Sequence, residues 1–79
     1  MDKITVNLEW HEDAAVWVAT SEDIWGLAAQ SNDLETLKRK VLPMISDLIE
    51  LNKVEVAKPS VPIHFIAHST QLLRLENVA

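Results

Sequence analysis

One apolar stripe in the second half of the chain constrains its fold more than any other sequence feature. The chain has 79 residues, and within residues 33–51 apolar side chains recur three or four positions apart. The stripe consists of Leu34, Leu37, Val41, Ile45, Leu48 and Leu51, widened by Leu42, Met44 and Ile49. This period predicts one amphipathic helix. Because so wide a stripe must be buried against another layer, we expect it to cover one face of a β-sheet.

Signals at the start and in the middle of this helix define its predicted course. Asn32 and Glu35 stand three residues apart, as in a capping box, and Asp33 adds negative charge to the first turn. Pro43 falls in the middle, where a proline costs about 3 kcal/mol in a straight helix. Pro43 shares its face with polar residues, so a bend there would curve the helix around the sheet. We therefore predict one kinked helix over 33–51, with a break at Pro43 as the alternative.

Four segments outside the helix have the period of β-strands. Residues 4–10 alternate between apolar and polar side chains, and residues 15–20 run back after a polar hairpin loop. Gly26 lies in the next turn, where a positive φ is most easily accommodated, and residues 27–30 form a short third strand. Residues 63–70 form the fourth strand. His64, Ile66 and His68 lie on one of its faces, and Ile63, Phe65 and Ala67 lie on the other.

The order of these elements is β-β-β-α-β, which places the chain in the α+β class. A right-handed crossover through the helix gives a three-stranded antiparallel meander plus one parallel strand, in the sheet order 3-2-1-4. The single kinked helix covers one face of this sheet. We expect a domain over residues 1–70 and a C-terminal tail over residues 71–79.

The second strand is apolar on both of its faces. Val16 and Val18 form one face, and Trp17 forms the other with its neighbouring alanines. Because the helix covers only one sheet face, we expect the Trp17 face to be bare and to bind another molecule, so that Trp17→Ala shifts the protein toward monomer. A core position for Trp17, under a cover such as the tail, is the alternative. The predicted interface comprises Trp17, Ala15, Ala19, Trp25, His64, Ile66 and His68.

Size and composition favour self-association. A single core in so short a chain is marginal, and such chains often gain stability from disulfides, metals or oligomerisation. The sequence has no Cys, which excludes disulfides and thiolate metal sites. We therefore predict a homo-oligomer, either a dimer or a tetramer.

The negative charge is concentrated in the first part of the chain. Residues 1–33 contain seven acidic residues and one base, Lys3, and the net charge of the whole chain is −5. Such a surface repels phosphate backbones and attracts a basic partner, so direct nucleic-acid binding is not expected. Plain solubility is the alternative reading of this charge. No apolar run reaches the roughly 20 residues that cross a bilayer, and the chain starts on a strand pattern, so we predict a cytoplasmic protein without a membrane partner.

The side chains do not form a recognisable catalytic or metal motif. His64 and His68 lie about 13 Å apart along one strand, so within one chain they cannot share a metal. His11 has Glu12 and Asp13 beside it, and we interpret it as a solvated loop histidine rather than a weak metal ligand. The serines have no G-x-S-x-G context, and one glycine cannot build a phosphate loop. We predict no enzymatic activity, no cofactor and no metal.

The run HEDAAVWVATSEDIWGLAAQSNDLETLKRKVLPMISDLIE, with a strand on either side, resembles the HicB-like family. The acidic hairpin before VWVA, the turn SEDIWGL and the helix start NDLETL carry the resemblance, which covers roughly residues 3–70. It is nearest to the small members that lack a DNA-binding tail, since residues 71–79 are too few for one. Trp25 departs from the pattern, because a proline is usual before the turn glycine.

The resemblance implies a partial ribonuclease-H-like fold and an antitoxin that masks a small basic RNA-cleaving toxin of the HicA type. Ribonuclease-H catalysis needs carboxylates gathered on the central strands to hold Mg²⁺. The first strand offers only Glu9 near its end, and residues 63–69 offer no acid, so we expect an inert fold rather than a metal-dependent nuclease. The alternative is an orphan oligomeric domain of unassigned role with no toxin partner.

Overall fold

The computed structural model describes residues 1–75 of the chain. Its elements are β1 (Ile4–His11), β2 (Val16–Thr20), β3 (Ala28–Ser31), α1 (Leu34–Asn52) and β4 (Ile63–His68). The four strands form one sheet in the order β3-β2-β1-β4, in which β1 is antiparallel to β2 and parallel to β4. The predicted α+β fold and strand order are confirmed.

The core lies between the sheet and the helix. The central strand β1 contributes Ile4, Val6 and Leu8, all fully buried, and the helix contributes its buried stripe. The buried residues together are Ile4, Val6, Leu8, Ala19, Ile24, Leu27, Leu37, Val41 and Ile45. The apolar side chains that alternate along β1 thus pack with the apolar stripe of α1 in one buried layer, as the two periods predict.

The helix begins at a different cap from the predicted one. Asp33 is the N-cap residue, and its Oδ2 accepts hydrogen bonds from the Thr36 backbone N–H at 2.8 Å and the Thr36 hydroxyl at 2.6 Å. The predicted pairing of Asn32 with Glu35 is therefore wrong by one position. The helix continues through the exposed Pro43, so the alternative of two helices is also wrong.

The two turns of the meander depend on residues with positive φ. Gly26 has a φ of 91°, as predicted, and an added Cβ would lie 3.5 Å from Leu48 Cδ2. Ala15 has a φ of 53°, in the left-handed region that alanine rarely adopts, and its N–H donates to the Glu12 carbonyl at 3.3 Å. Ala15 therefore belongs to the hairpin turn and not to β2.

The predicted exposure of the Trp17 face is wrong. Residues directly opposite each other in a ladder share a face, and β1 pairs Leu8 with Ala19 and Trp10 with Trp17. Ala19 is fully buried, and Trp17 packs against the core with its ring centroid 5.5 Å from that of Trp10. The helix lies over β2 and β3, so the Trp17 face is the covered one.

The chain beyond β4 projects from this compact body. Residues 69–75 join no helix or strand, and Leu72 is 97% exposed. The longest dimension is 58 Å, about twice the roughly 28 Å of the 19-residue helix. The predicted tail, residues 71–79, is described as far as residue 75, and its last four residues lie outside the described part.

Candidate functional site

The sheet face opposite the helix is not covered by any element of residues 1–75. The strand register assigns twelve side chains to this open face. They are Thr5, Asn7, Glu9, His11, Val16, Val18, Thr20, Ala28, Gln30, His64, Ile66 and His68.

Eight of the twelve side chains on the open face are polar. The central strand β1 presents only polar side chains there, from Thr5 to His11. Val16 and Val18 of β2 lie on one side of this polar row, and Ile66 of β4, 40% exposed, lies on the other. Thr20, Gln30, His64 and His68 add further polar groups on the outer strands, so the open face is mostly polar, with a few separate apolar side chains.

An open depression of about 380 Å³ lies at the start of β1, lined by Thr5, Asn7, Glu22 and Asp23. The loop after β2 builds it. The Asp23 carboxylate accepts a hydrogen bond from the Thr5 backbone N–H at 2.8 Å, and the Ser21 hydroxyl donates to the Thr5 carbonyl at 2.6 Å. The side chains of Asp23 and Ser21 thus bond the backbone of β1 at the point where the backbone of β2 turns away.

Ser21 also fixes the position of the acidic residues that follow it. Its Oγ accepts hydrogen bonds from the backbone N–H groups of Asp23 at 3.1 Å and Ile24 at 3.3 Å. Ile24 is fully buried, which anchors the other end of the turn. The depression thus has two carboxylates on a turn whose backbone is held by Ser21, and they can accept hydrogen bonds from a lysine or arginine side chain.

Trp25 projects from the same loop. It is 82% exposed, although its neighbours Ile24 and Leu27 are buried. Its carbonyl accepts a hydrogen bond from Asn52 Nδ2 at 3.1 Å, which ties the loop to the end of the helix, where Leu51 is 76% exposed. A tryptophan on a loop held at both ends is a suitable anchor for a protein contact.

The far end of β1 carries a second group of polar side chains. His11 Nε2 lies 3.2 Å from Glu9 Oε1, and the Trp10 indole N–H donates to Glu12 Oε2 at 2.6 Å. Glu9 is also the ladder partner of His68 on the open face. Within residues 1–75, no three side chains of the metal-binding types converge.

Comparison with known proteins gives a family but no activity. The family model described as "Domain of unknown function (DUF1902)" matches residues 3–76. The chain belongs to the DUF1902 family. A hypothetical protein of the same fold, TTHA1013 from the extremely thermophilic bacterium Thermus thermophilus, is 33% identical, with a TM-score of 0.61 over 89% of this chain and 97% of that one. No curated protein matches the chain.

The interface residues predicted from the sequence lie in separate parts of this DUF1902 protein. His64, Ile66 and His68 lie together on the open face of β4, and Trp25 lies on the loop beside the helix end. Ala19 and Trp17 lie on the helix side, and Ala15 lies in the hairpin turn, so these three do not join the open face.

The acidic depression was missed by reasoning from the DUF1902 sequence. Ser21, Glu22 and Asp23 belong to the turn SEDIWGL, and nothing in their local sequence indicates a site. A serine two residues before an aspartate is a signal for a side-chain-bonded turn, but not for the pairing of Asp23 with Thr5, which is 18 positions away.

Among the described helices, none is long and apolar enough to span a bilayer.

Proposed function

We propose that this chain is a non-catalytic protein-binding module of the HicB-like antitoxin type, which self-associates and masks a small basic RNA-cleaving toxin. The observation that carries the proposal is the depression in which Glu22 and Asp23 stand beside Thr5 and Asn7. Such a site suits an exposed lysine or arginine of a basic protein, because charge-assisted hydrogen bonds to carboxylates are among the stronger ones.

The charge distribution supports a basic partner. Residues 1–33 contain seven acidic residues, of which Glu22 and Asp23 line the depression and Glu9 lies on the open face. A field of this sign speeds the encounter with a basic protein and disfavours direct contact with RNA or DNA. The cytoplasm, where a toxin would cleave RNA, is the compartment we propose.

Trp25 supplies the apolar part of the proposed contact. Tryptophan side chains often dominate the binding energy of an interface when a partner surrounds them. Trp25 lies in the same loop as both acidic residues of the depression. An exposed indole in the same loop as two carboxylates suits a basic partner that also carries an apolar pocket.

Two features support a binding role rather than catalysis of the ribonuclease-H type. β1 contributes Glu9 as its only carboxylate, and β4 contributes none. The depression contains two carboxylates, and the hydrogen bond from the Thr5 backbone to Asp23 uses one of them in the fold itself. A two-metal site would need more ligands than this arrangement supplies.

Co-expression with the product of the adjacent reading frame tests the proposal. We expect that product to be small and basic, to arrest growth when expressed alone, and to lose its RNA-cleaving activity when the chain binds it. Glu22→Lys should weaken the complex about tenfold, since it sets like charges against each other. Glu50→Lys, at an exposed position of the helix, is the matched control and should leave binding unchanged.

Trp25→Ala provides a second variant. It should weaken the complex by about 2 kcal/mol or more while leaving the unfolding transition in place, because the indole is exposed in the free protein. If the adjacent product neither arrests growth nor binds the chain, the antitoxin role is wrong, and an oligomeric domain of another role remains.

A further inference from the structure

The outer edge of β4 is an unprotected strand edge. β4 is the last strand of the sheet, and within residues 1–75 no strand pairs with its other side. Its six residues, Ile63–His68, include no lysine, no proline and no acidic residue, which are among the usual protections of such an edge. Two negatively charged molecules can therefore meet along β4 without bringing like charges together.

The backbone of β4 presents its free groups in a regular pattern. The Ile4 N–H donates to the Pro62 carbonyl at 3.0 Å, so the even-numbered residues of β4 direct their backbone groups toward β1. Ile63, Phe65 and Ala67 consequently direct theirs outward. An antiparallel strand from a second copy, related by a two-fold axis perpendicular to the sheet, can pair with all of these groups.

One register of this pairing matches the side chains on both faces. With Ile66 opposite Ile66 of the second copy, Phe65 lies opposite Ala67, so a large side chain meets a small one on the helix side. His64 then lies opposite His68 of the second copy on the open face. This is a non-hydrogen-bonded pair, in which Cα atoms are about 4.5 Å apart and side chains lie closest.

A carboxylate completes each histidine pair. Glu9 is the ladder partner of His68 on β1, so Glu9, His68 and His64 of the second copy form a row on the open face. The His11 contact involves Oε1 of Glu9, and a carboxylate has a second oxygen for another partner. Two imidazoles, one carboxylate and a water are a ligand set that Zn²⁺ accepts.

We infer that two copies pair through their β4 edges and that the seam holds two equivalent Zn²⁺ sites, each formed by Glu9 and His68 of one copy and His64 of the other. The inference rests on the self-association proposed above.

Sedimentation velocity of the full chain, with EDTA or with added ZnCl₂, tests the site. A strand pair alone is a small contact, so zinc should strengthen dimerisation markedly. At ten times the dissociation constant of each of two sites, the association constant rises about a hundredfold. His64→Asn and His68→Asn should each abolish this rise, and Gln30→Asn, at an exposed open-face position on β3, is the control and should retain it. Circular dichroism checks that each variant is folded.

A cysteine cross-link tests the geometry without relying on zinc affinity. The native chain has no cysteine, so Ile66→Cys introduces a single thiol that faces its own counterpart across the two-fold axis. Oxidation should yield a disulfide-linked dimer. Val18→Cys, on the same face but two strands away, should remain monomeric on a denaturing gel.

The inference is overturned if ZnCl₂ leaves the sedimentation of the wild type unchanged, or if both His→Asn variants respond as the wild type does. It is also overturned if Phe65→Cys cross-links and Ile66→Cys does not. A register with Phe65 opposite Phe65 separates His68 from His64 of the second copy. Failure here is distinct from failure of the antitoxin role. His64→Asn leaves Glu22 and Trp25 intact, so inhibition of the toxin can be measured on the same variant.

Discussion

The two faces of this sheet use the same four strands and differ in nearly every physical property. The helix-covered face contains the fully buried Ile4, Val6, Leu8 and Ala19, whereas most side chains of the open face are polar. β2 is the exception, because it has apolar residues on both sides. Apolar character in a strand therefore does not say which side a helix will cover, and the covered side of β2 proved to be that of Trp17.

The largest expected effect is a difference in stability between alanine variants of two isoleucines, one on each face of the sheet. Ile4→Ala should lower the free energy of unfolding by about 2–5 kcal/mol, since it leaves a cavity under the helix. Ile66→Ala, at a position 40% exposed, should lower it by less than about 1 kcal/mol. Urea unfolding with EDTA present measures both, and equal losses would contradict the assignment of the two faces.

Trp17→Ala sharpens the comparison at the residue whose face was predicted wrongly. The side chain is half-buried against the core, so its removal should cost about 2 kcal/mol of unfolding free energy. The mass in sedimentation should not change, because Trp17 lies beneath the helix side and not at a seam. A shift to monomer at unchanged stability would restore the original interface prediction.

Ser21→Ala tests the loop between β2 and β3, which contributes the buried Ile24 to the core and Asp23 to the depression. It removes one donated and two accepted hydrogen bonds, and it should cost about 1–2 kcal/mol of unfolding free energy. The acidic depression should also lose its fixed shape, so binding of the basic partner should weaken. Ser60→Ala, at an exposed position in the loop before β4, is the control and should affect neither quantity.

The smallest expected effect is a pH dependence at the start of the helix. The hydrogen bonds from the Thr36 hydroxyl and backbone N–H, and then the nearby charge of Arg39, hold the pKa of Asp33 below its ordinary value. The unfolded state therefore binds more protons in acid, and stability from this group falls as the pH drops from about 4 through the lowered pKa.

Asp33→Asn isolates this contribution, because asparagine also caps helices but does not ionise. Stability of the variant, followed by urea unfolding between about pH 5 and pH 2, should change less steeply with pH than that of the wild type. Identical slopes would mean that Asp33 does not carry the dependence.

Much of the fold could be predicted because its signals are local and repetitive. The alternation of β1, the stripe of α1 and the turn at Gly26 each follow from a few neighbouring residues, and the handedness of crossovers then gives the strand order. The exact cap was missed because Asn32 and Asp33 are both good caps, and only backbone geometry chooses between them.

The candidate sites were harder to predict, since they combine residues far apart in sequence. Trp25, His64, Ile66 and His68 were predicted as interface residues and do lie at the surface positions described above, but the acidic depression depends on Asp23 replacing a backbone partner of Thr5. Nothing in the order of residues specifies that contact.

The sequence alone determined the class, the element order and the acidic character of the first part of the chain, because period and charge are properties of the chain itself. Only the tertiary structure decided which face of β2 the helix covers, because β2 has apolar residues on both faces and the choice depends on its register with β1. The parallel pairing of β4 with β1 placed His64 and His68 on an edge strand, where the proposed second copy would bring them together.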